Sequence, residues 1–123
     1  MKDYPNTMKV DDIEYIRADK VKTKAKDYDG MPYVIVRTYS AGVHFGFLKK
    51  REGKEVTLIN SRRVWYWNGA ASLSQLAMEG TSLPNDCKFP CIVKEIILTE
   101  AIEIIPLTEK AKNNLYGVPI WKK

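Results

Sequence analysis

Hydrophobic and polar residues change rhythm along this chain, and the first change comes at about residue 31. Before it, "ADKVKTKAKDYDG" is charged at nearly every second position and ends in Asp29-Gly30, a turn signal. "DDIEYIRADKV" fits a short amphipathic helix without demanding one, and a tail that orders only against a neighbouring subunit reads the same way. Residues 1–30 are therefore expected to form a charged N-terminal arm, and residues 31–123 a single domain.

From "MPYVIVRTY" the pattern becomes that of a sheet. Pro32 suits the start of a strand, and Val34, Ile35 and Val36 favour the pleat. "SAG" at 40–42 reads as a break or bulge. In "VHFGF", Val43, Phe45 and Phe47 share one face while His44 and Gly46 take the other, which places His44 away from the sheet's core. "KKREGKE" makes a hairpin turn around Gly53, "EVTLI" returns, and "NSRRVWYWNG" continues the sheet. A helix follows, with Ser72 as cap, Gln75 completing a capping box and Gly80 as the stop; Leu73, Leu76 and Ala77 share a face. "TSLPNDCKFPC" is a loop with two prolines. "IVKEIILTEAIEIIPLT" gives two isoleucine-rich strands separated by Thr99-Glu100-Ala101. Thr108 caps a second helix, "EKAKNNL", closed by Gly117 and Pro119, and "VPIW" returns as an edge segment. The predicted class is α+β: an antiparallel β-sheet meander with one or two short helices packed on it.

Charge sharpens this picture. Residues 31–63 carry Arg37, Lys49, Lys50, Arg51, Lys54, Arg62 and Arg63 against Glu52 and Glu55, so the net charge of +5 fits within the sheet, and the partner expected is an anion. No apolar run approaches the roughly 20 residues that span a bilayer, and the N-terminus has no apolar signal region, so the expected address is the cytoplasm. Cys87 and Cys91 in "CKFPC" read as reduced thiols. A zinc site would need two more ligands where the chain has one histidine.

The chemistry concentrates in "NSRRVWYWNG". Alternation places Arg63, Trp65 and Trp67 on one side of a strand and Arg62, Val64 and Tyr66 on the other. An indole offers a stacking face for a base and a guanidinium offers planar donors for phosphate. The same residues also read as a core wall whose arginines cover apolar edges. The turn "YSAGVH" adds a glycine and backbone amides able to cradle an anion. His44 lacks a carboxylate or nucleophile at a recognisable spacing, so it reads as a hydrogen-bonding residue. No catalytic group, metal or cofactor is expected.

Three words of the chain, "VIVRTYSAGVHFG", "RRVWYWNGAASLSQLAMEG" and "EIILTEAIEIIP", resemble a family of small proteins encoded by phages and prophages, over about residues 33–121. The chain is similar to the phage Thoeris anti-defence proteins of the first type. The resemblance implies a sponge, acting in the cytoplasm of the infected host cell, that binds a cyclic ADP-ribose-type or cyclic oligonucleotide immune signal without cleaving it. It also implies a homo-oligomer with ligand sites between subunits, and a ligand role for Tyr39, Ser40, Gly42, His44, Arg62, Arg63, Trp65 and Trp67. Asn85 and Phe89 are further pocket candidates. Two other classes stay open: a phage factor that binds a host protein through its tryptophans, and a single-stranded nucleic-acid-binding module.

Overall fold

The computed structural model describes residues 7–10, 13–16 and 23–123, with side chains from residue 23 onward. Near the N-terminus, β1 (Thr7–Val10) and β2 (Ile13–Ile16) form an antiparallel pair. Ile13–Ile16 is thus strand where a helix was an option; the flanking parts of "DDIEYIRADKV" lie outside the described residues. Residues 23–30, grouped with the arm by their charge, pack on the domain. The small side chain of Ala25 is buried, its N–H donates to the Leu107 carbonyl at 2.9 Å, and the Glu109 N–H donates to the Thr23 carbonyl at 2.7 Å.

The remaining strands are β3 (Tyr33–Thr38), β4 (Val43–Glu52), β5 (Glu55–Val64), β6 (Val93–Leu98) and β7 (Ala101–Pro106), in one antiparallel sheet of order β6-β5-β4-β3-β7. β4 and β5 meet across the two-residue Gly53-Lys54 turn with Glu52 opposite Glu55. β6 and β7 are separated only by Thr99-Glu100, yet they occupy opposite edges, so the order departs from a plain meander. The sheet rolls to make this connection: the Ala101 N–H donates to the Lys54 carbonyl, and the Tyr39 N–H to that of Glu100, both at 2.9 Å.

Rolling gives β3 two buried faces. Tyr33 and Ile35 join Phe45, Val64, Phe89, Leu107 and the helices in one core, while Val34 and Val36 join Val56, Leu58 and Leu98 in a second core inside the roll. This accounts for the unbroken apolar run "YVIV", which a strand covered on one side would not carry. His44 stands opposite Val36 and Arg63, on the inner side. It does face away from Phe45, but the space there is interior, and His44 is buried.

Helix α1 (Leu73–Glu79) is capped by Ser72, whose hydroxyl accepts from Gln75 N–H at 3.1 Å; the Gln75 side chain reaches back to Ala71 N–H at 2.8 Å. Leu76 and Ala77 are its buried face. Helix α2 (Glu109–Tyr116) is capped by Thr108, which accepts from Ala111 N–H at 3.0 Å and donates to the Met78 carbonyl at 2.8 Å, tying the helices together. Cys87 and Cys91 are free thiols, the first buried and the second exposed. Among the described residues no helix is long and apolar enough to cross a membrane.

Candidate functional site

The two arginines of "NSRRVWYWNG" have different fates because the β5 ladder puts them on opposite faces. Arg62 lies opposite Phe45, on the helix side, and is 1% exposed. Its guanidinium donates to the carbonyls of Phe89 and Val118 at 2.8 Å and Pro90 at 3.0 Å, with longer contacts to Leu115, Tyr116 and Pro119 at 3.3–3.4 Å. Its Cζ lies 5.4 Å from the Phe89 ring centroid. The side chain binds the end of α2 to the segment after Cys87. The ligand role expected for Arg62 is therefore corrected: its donors are spent on its own backbone.

Arg63, opposite His44, reaches the β3–β4 turn. That turn is closed by Thr38, whose hydroxyl donates to the Gly42 carbonyl at 2.7 Å and accepts from Ala41 N–H at 2.8 Å. Gly42 has φ 85°, a conformation other residues adopt at a cost. The closed turn presents the Ala41 carbonyl to two donors, His44 Nε2 and Arg63 Nη1, each at 2.9 Å. A carbonyl only accepts, so His44 carries its proton on Nε2. Burial pushes its pKa below the ordinary range, the Ala41 carbonyl opposes that shift, and the Arg63 charge adds to it. His44 thus holds the turn from inside and offers nothing to solvent, which corrects its expected ligand role.

Between turn and strand lies an open hollow of about 290 Å³ lined by Ser40, Ala41, Gly42, Arg63, Val64 and Trp65. Four of the eight expected site residues (Ser40, Gly42, Arg63 and Trp65) meet there. Tyr39 stands beside them in sequence and is 77% exposed. Two turn amides are already engaged, Tyr39 with the Glu100 carbonyl and Ala41 with Thr38. Trp67 does not join them. The ladder ends at Val64, the alternation stops with it, and Trp67 packs against the helix-side core with its Nε1–H on the Ala70 carbonyl at 3.2 Å. Asn85 lies in a short 3-10 turn (Pro84–Asp86), and Phe89 is wholly buried.

Trp121, Lys88 and Glu100 complete the surroundings. Trp65, 61% exposed, stacks on Trp121 with centroids 6.0 Å apart and planes at 20°. The Lys88 ammonium lies 5.6 Å from the Trp121 ring and 6.0 Å from that of Tyr66. Trp121 is brought here by its N–H bond to the Phe89 carbonyl, 2.9 Å. In the β3–β4 turn, the Ser40 hydroxyl donates to Glu100 Oε1 at 3.1 Å. The hollow therefore offers a cation, an aromatic plane and a hydroxyl that is bonded to the neighbouring Glu100 carboxylate. Neither Trp121 nor Glu100 was singled out from the sequence. Trp121 comes from the far end of the chain, and Glu100 enters only because the β6–β7 link crosses the turn.

Among the described residues no three His, Cys, Asp or Glu side chains gather as a metal site. In comparison with known protein families, the one described as a domain of unknown function (DUF6948) matches residues 31–115, a span that takes in the turn, Arg63, Trp65 and Glu100. No curated protein and no solved structure matches the chain.

Proposed function

The chain belongs to the DUF6948 family, and we propose that it binds and sequesters a small anionic adenine nucleotide; the resemblance of its sequence words to the phage anti-defence proteins narrows this to a phage-encoded sponge for an immune signal of the cyclic ADP-ribose or cyclic oligonucleotide type. The observation that carries this reading is the meeting of Ser40, Arg63 and the exposed Trp65 on one hollow, with Glu100 held beside it by the Ser40 hydroxyl. Each meets a different part of a nucleotide. The indole stacks on the base, contributing about 1–3 kcal/mol. Arg63 keeps one bond to Ala41 and turns its other donors to phosphate. Ser40 and Glu100 suit ribose hydroxyls, since a carboxylate accepts from a sugar and repels a phosphate; the ligand's orientation follows from that polarity.

At about 290 Å³ the hollow sits at the lower edge of the roughly 300–1,000 Å³ common for small-molecule sites. A cyclic dinucleotide-sized signal would project beyond it. A second copy of the chain closing over the projecting part is the arrangement that retains ligand, so the reading includes a homo-oligomer with shared sites. The reading includes sequestration without cleavage; His44, the sole imidazole, is turned inward, and the Glu100 carboxylate is held by the Ser40 hydroxyl.

The test is mass spectrometry of small molecules released by heat from protein purified out of host cells with active nucleotide-based immunity. An intact cyclic nucleotide supports the sponge. A processed product replaces it with an enzyme, and an empty protein removes it. A second reading, a factor that docks on a host protein, is favoured by the exposed patch of Trp65, Tyr66, Ile120 and Trp121. It expects a stoichiometric host protein in pull-downs, lost in Trp121→Ala and kept in Arg63→Ala.

A further inference from the structure

A larger hollow lies on the other side of the sheet, between β4, β5 and α2. It measures about 340 Å³ and is lined by Tyr33, Phe47, Asn60, Lys112, Asn113 and Tyr116. None of these residues belongs to the hollow beside Arg63, so a ligand held here is independent of the nucleotide.

Three features of this hollow lack a purpose in the fold. The Tyr33 hydroxyl is buried and has no hydrogen-bond partner, although buried phenols ordinarily find one. Asn60 holds φ 51° within β5, where two residues of that strand oppose Gly46 alone. Such a bulge re-aims a side chain out of the ladder, and here Asn60 lines the hollow. The bulge is tight: a Cβ on Gly46 would meet the Ile59 carbonyl oxygen and the Ser61 Cα at 3.0 Å. Lys112, finally, places its ammonium 5.3 Å from the centroids of both Tyr33 and Phe47, and among the described residues it has no carboxylate partner.

The charge balance selects the ligand. Among the described residues, no acidic one lines the hollow. Lys112 stands at its wall, and behind Tyr33 and Tyr116 lies the Arg62 guanidinium, held by carbonyls with no described carboxylate against it. A cation would meet Lys112 and be repelled. An anion would find ammonium donors that the rings, contacted through their π-faces, leave free. The walls are otherwise aromatic, with Tyr33 and Phe47 edge to face at 4.7 Å.

We propose that this hollow is a second binding site, for a small planar aromatic carboxylate whose ring packs against Tyr33, Phe47 and Tyr116 and whose carboxylate pairs with Lys112. Asn60 and Asn113 hydrogen-bond its edge substituents.

The test is an NMR titration of isotope-labelled full-length protein with 2-naphthoate, and with 2-naphthamide as the uncharged match in shape. The expected result is saturable shifts of the Asn60 and Asn113 side-chain amides with naphthoate, the Trp65 indole resonance staying fixed, and binding of the amide weaker by about tenfold or more. Lys112→Met should reduce naphthoate to the level of the amide; Lys112→Gln gives the same comparison if the methionine variant does not fold. Absence of any response at millimolar naphthoate, equal binding of acid and amide, or unchanged affinity in the folded Lys112 variant would each overturn the assignment.

Discussion

Replacing Arg62 by methionine separates its structural role from a ligand role most sharply. The substitution keeps a long apolar stem and removes the guanidinium, taking this donor from the carbonyls of Pro90 and Val118 and leaving that of Phe89 with the Trp121 N–H alone. A hydrogen bond to a charged group contributes about 1.5–3 kcal/mol. Three bonds of 2.8–3.0 Å are affected, and the longer contacts add little. Against this stands the desolvation of an unneutralised guanidinium, several kcal/mol, which the variant no longer bears. The expected net loss is about 3–5 kcal/mol, a large share of the roughly 5–15 kcal/mol that holds a domain together. Urea unfolding followed by tryptophan fluorescence measures it directly. Arg63→Met, one position along on the partly exposed face, serves as control and should change stability by less than about 1 kcal/mol. Arg62→Lys should not rescue, because three ammonium donors on a flexible stem do not span carbonyls arriving from two separate segments. An Arg62→Met loss below about 1 kcal/mol would refute the view that this side chain clamps α2 to the loop.

Other outcomes rest on the same geometry. The His44 pKa is lowered in the fold, so the stability it contributes is present above its unfolded value near 6.5 and falls away as pH drops toward the lower folded value; unfolding midpoints measured through this window should decline in the wild type and flatten in His44→Gln. Tyr33→Phe removes a buried hydroxyl without a partner, and should leave the ligand-free protein unchanged or more stable by about 1 kcal/mol in thermal unfolding. Gly42→Ala forces a side chain into a backbone of φ 85°; a loss of about 1–2 kcal/mol is expected, together with weaker nucleotide binding as the turn shifts away from Arg63.

Much of this architecture was legible in the sequence where the signal is local. The Gly53 hairpin, the Ser72 and Thr108 caps and the two isoleucine-rich strands all arise from side chains within a few residues of one another. Alternation also separated Arg62 from Arg63 correctly up to Val64. It could not say which face meets solvent, because the sheet rolls and buries β3 on both sides. Trp67 was misplaced for a related reason: Trp65 and Tyr66 leave the ladder to pair with Lys88, so the period of two no longer applies two residues later. The candidate site was half legible as a place in the fold. The turn and the Arg63–Trp65 pair are close in sequence or face each other across hairpins. Trp121, Glu100 and the bulge at Asn60 depend on long-range packing and a slip in register, which composition and periodicity do not encode.

The nucleotide reading is tested most directly by calorimetric titration of the folded protein with cyclic ADP-ribose-type and cyclic oligonucleotide ligands, alongside Arg63→Ala and Trp65→Ala. Saturable binding of at least one ligand is expected, weakened by about 1–3 kcal/mol in each variant while unfolding midpoints stay close to wild type. Binding that both variants leave intact, or no binding of any adenine nucleotide by well-folded protein, would contradict it.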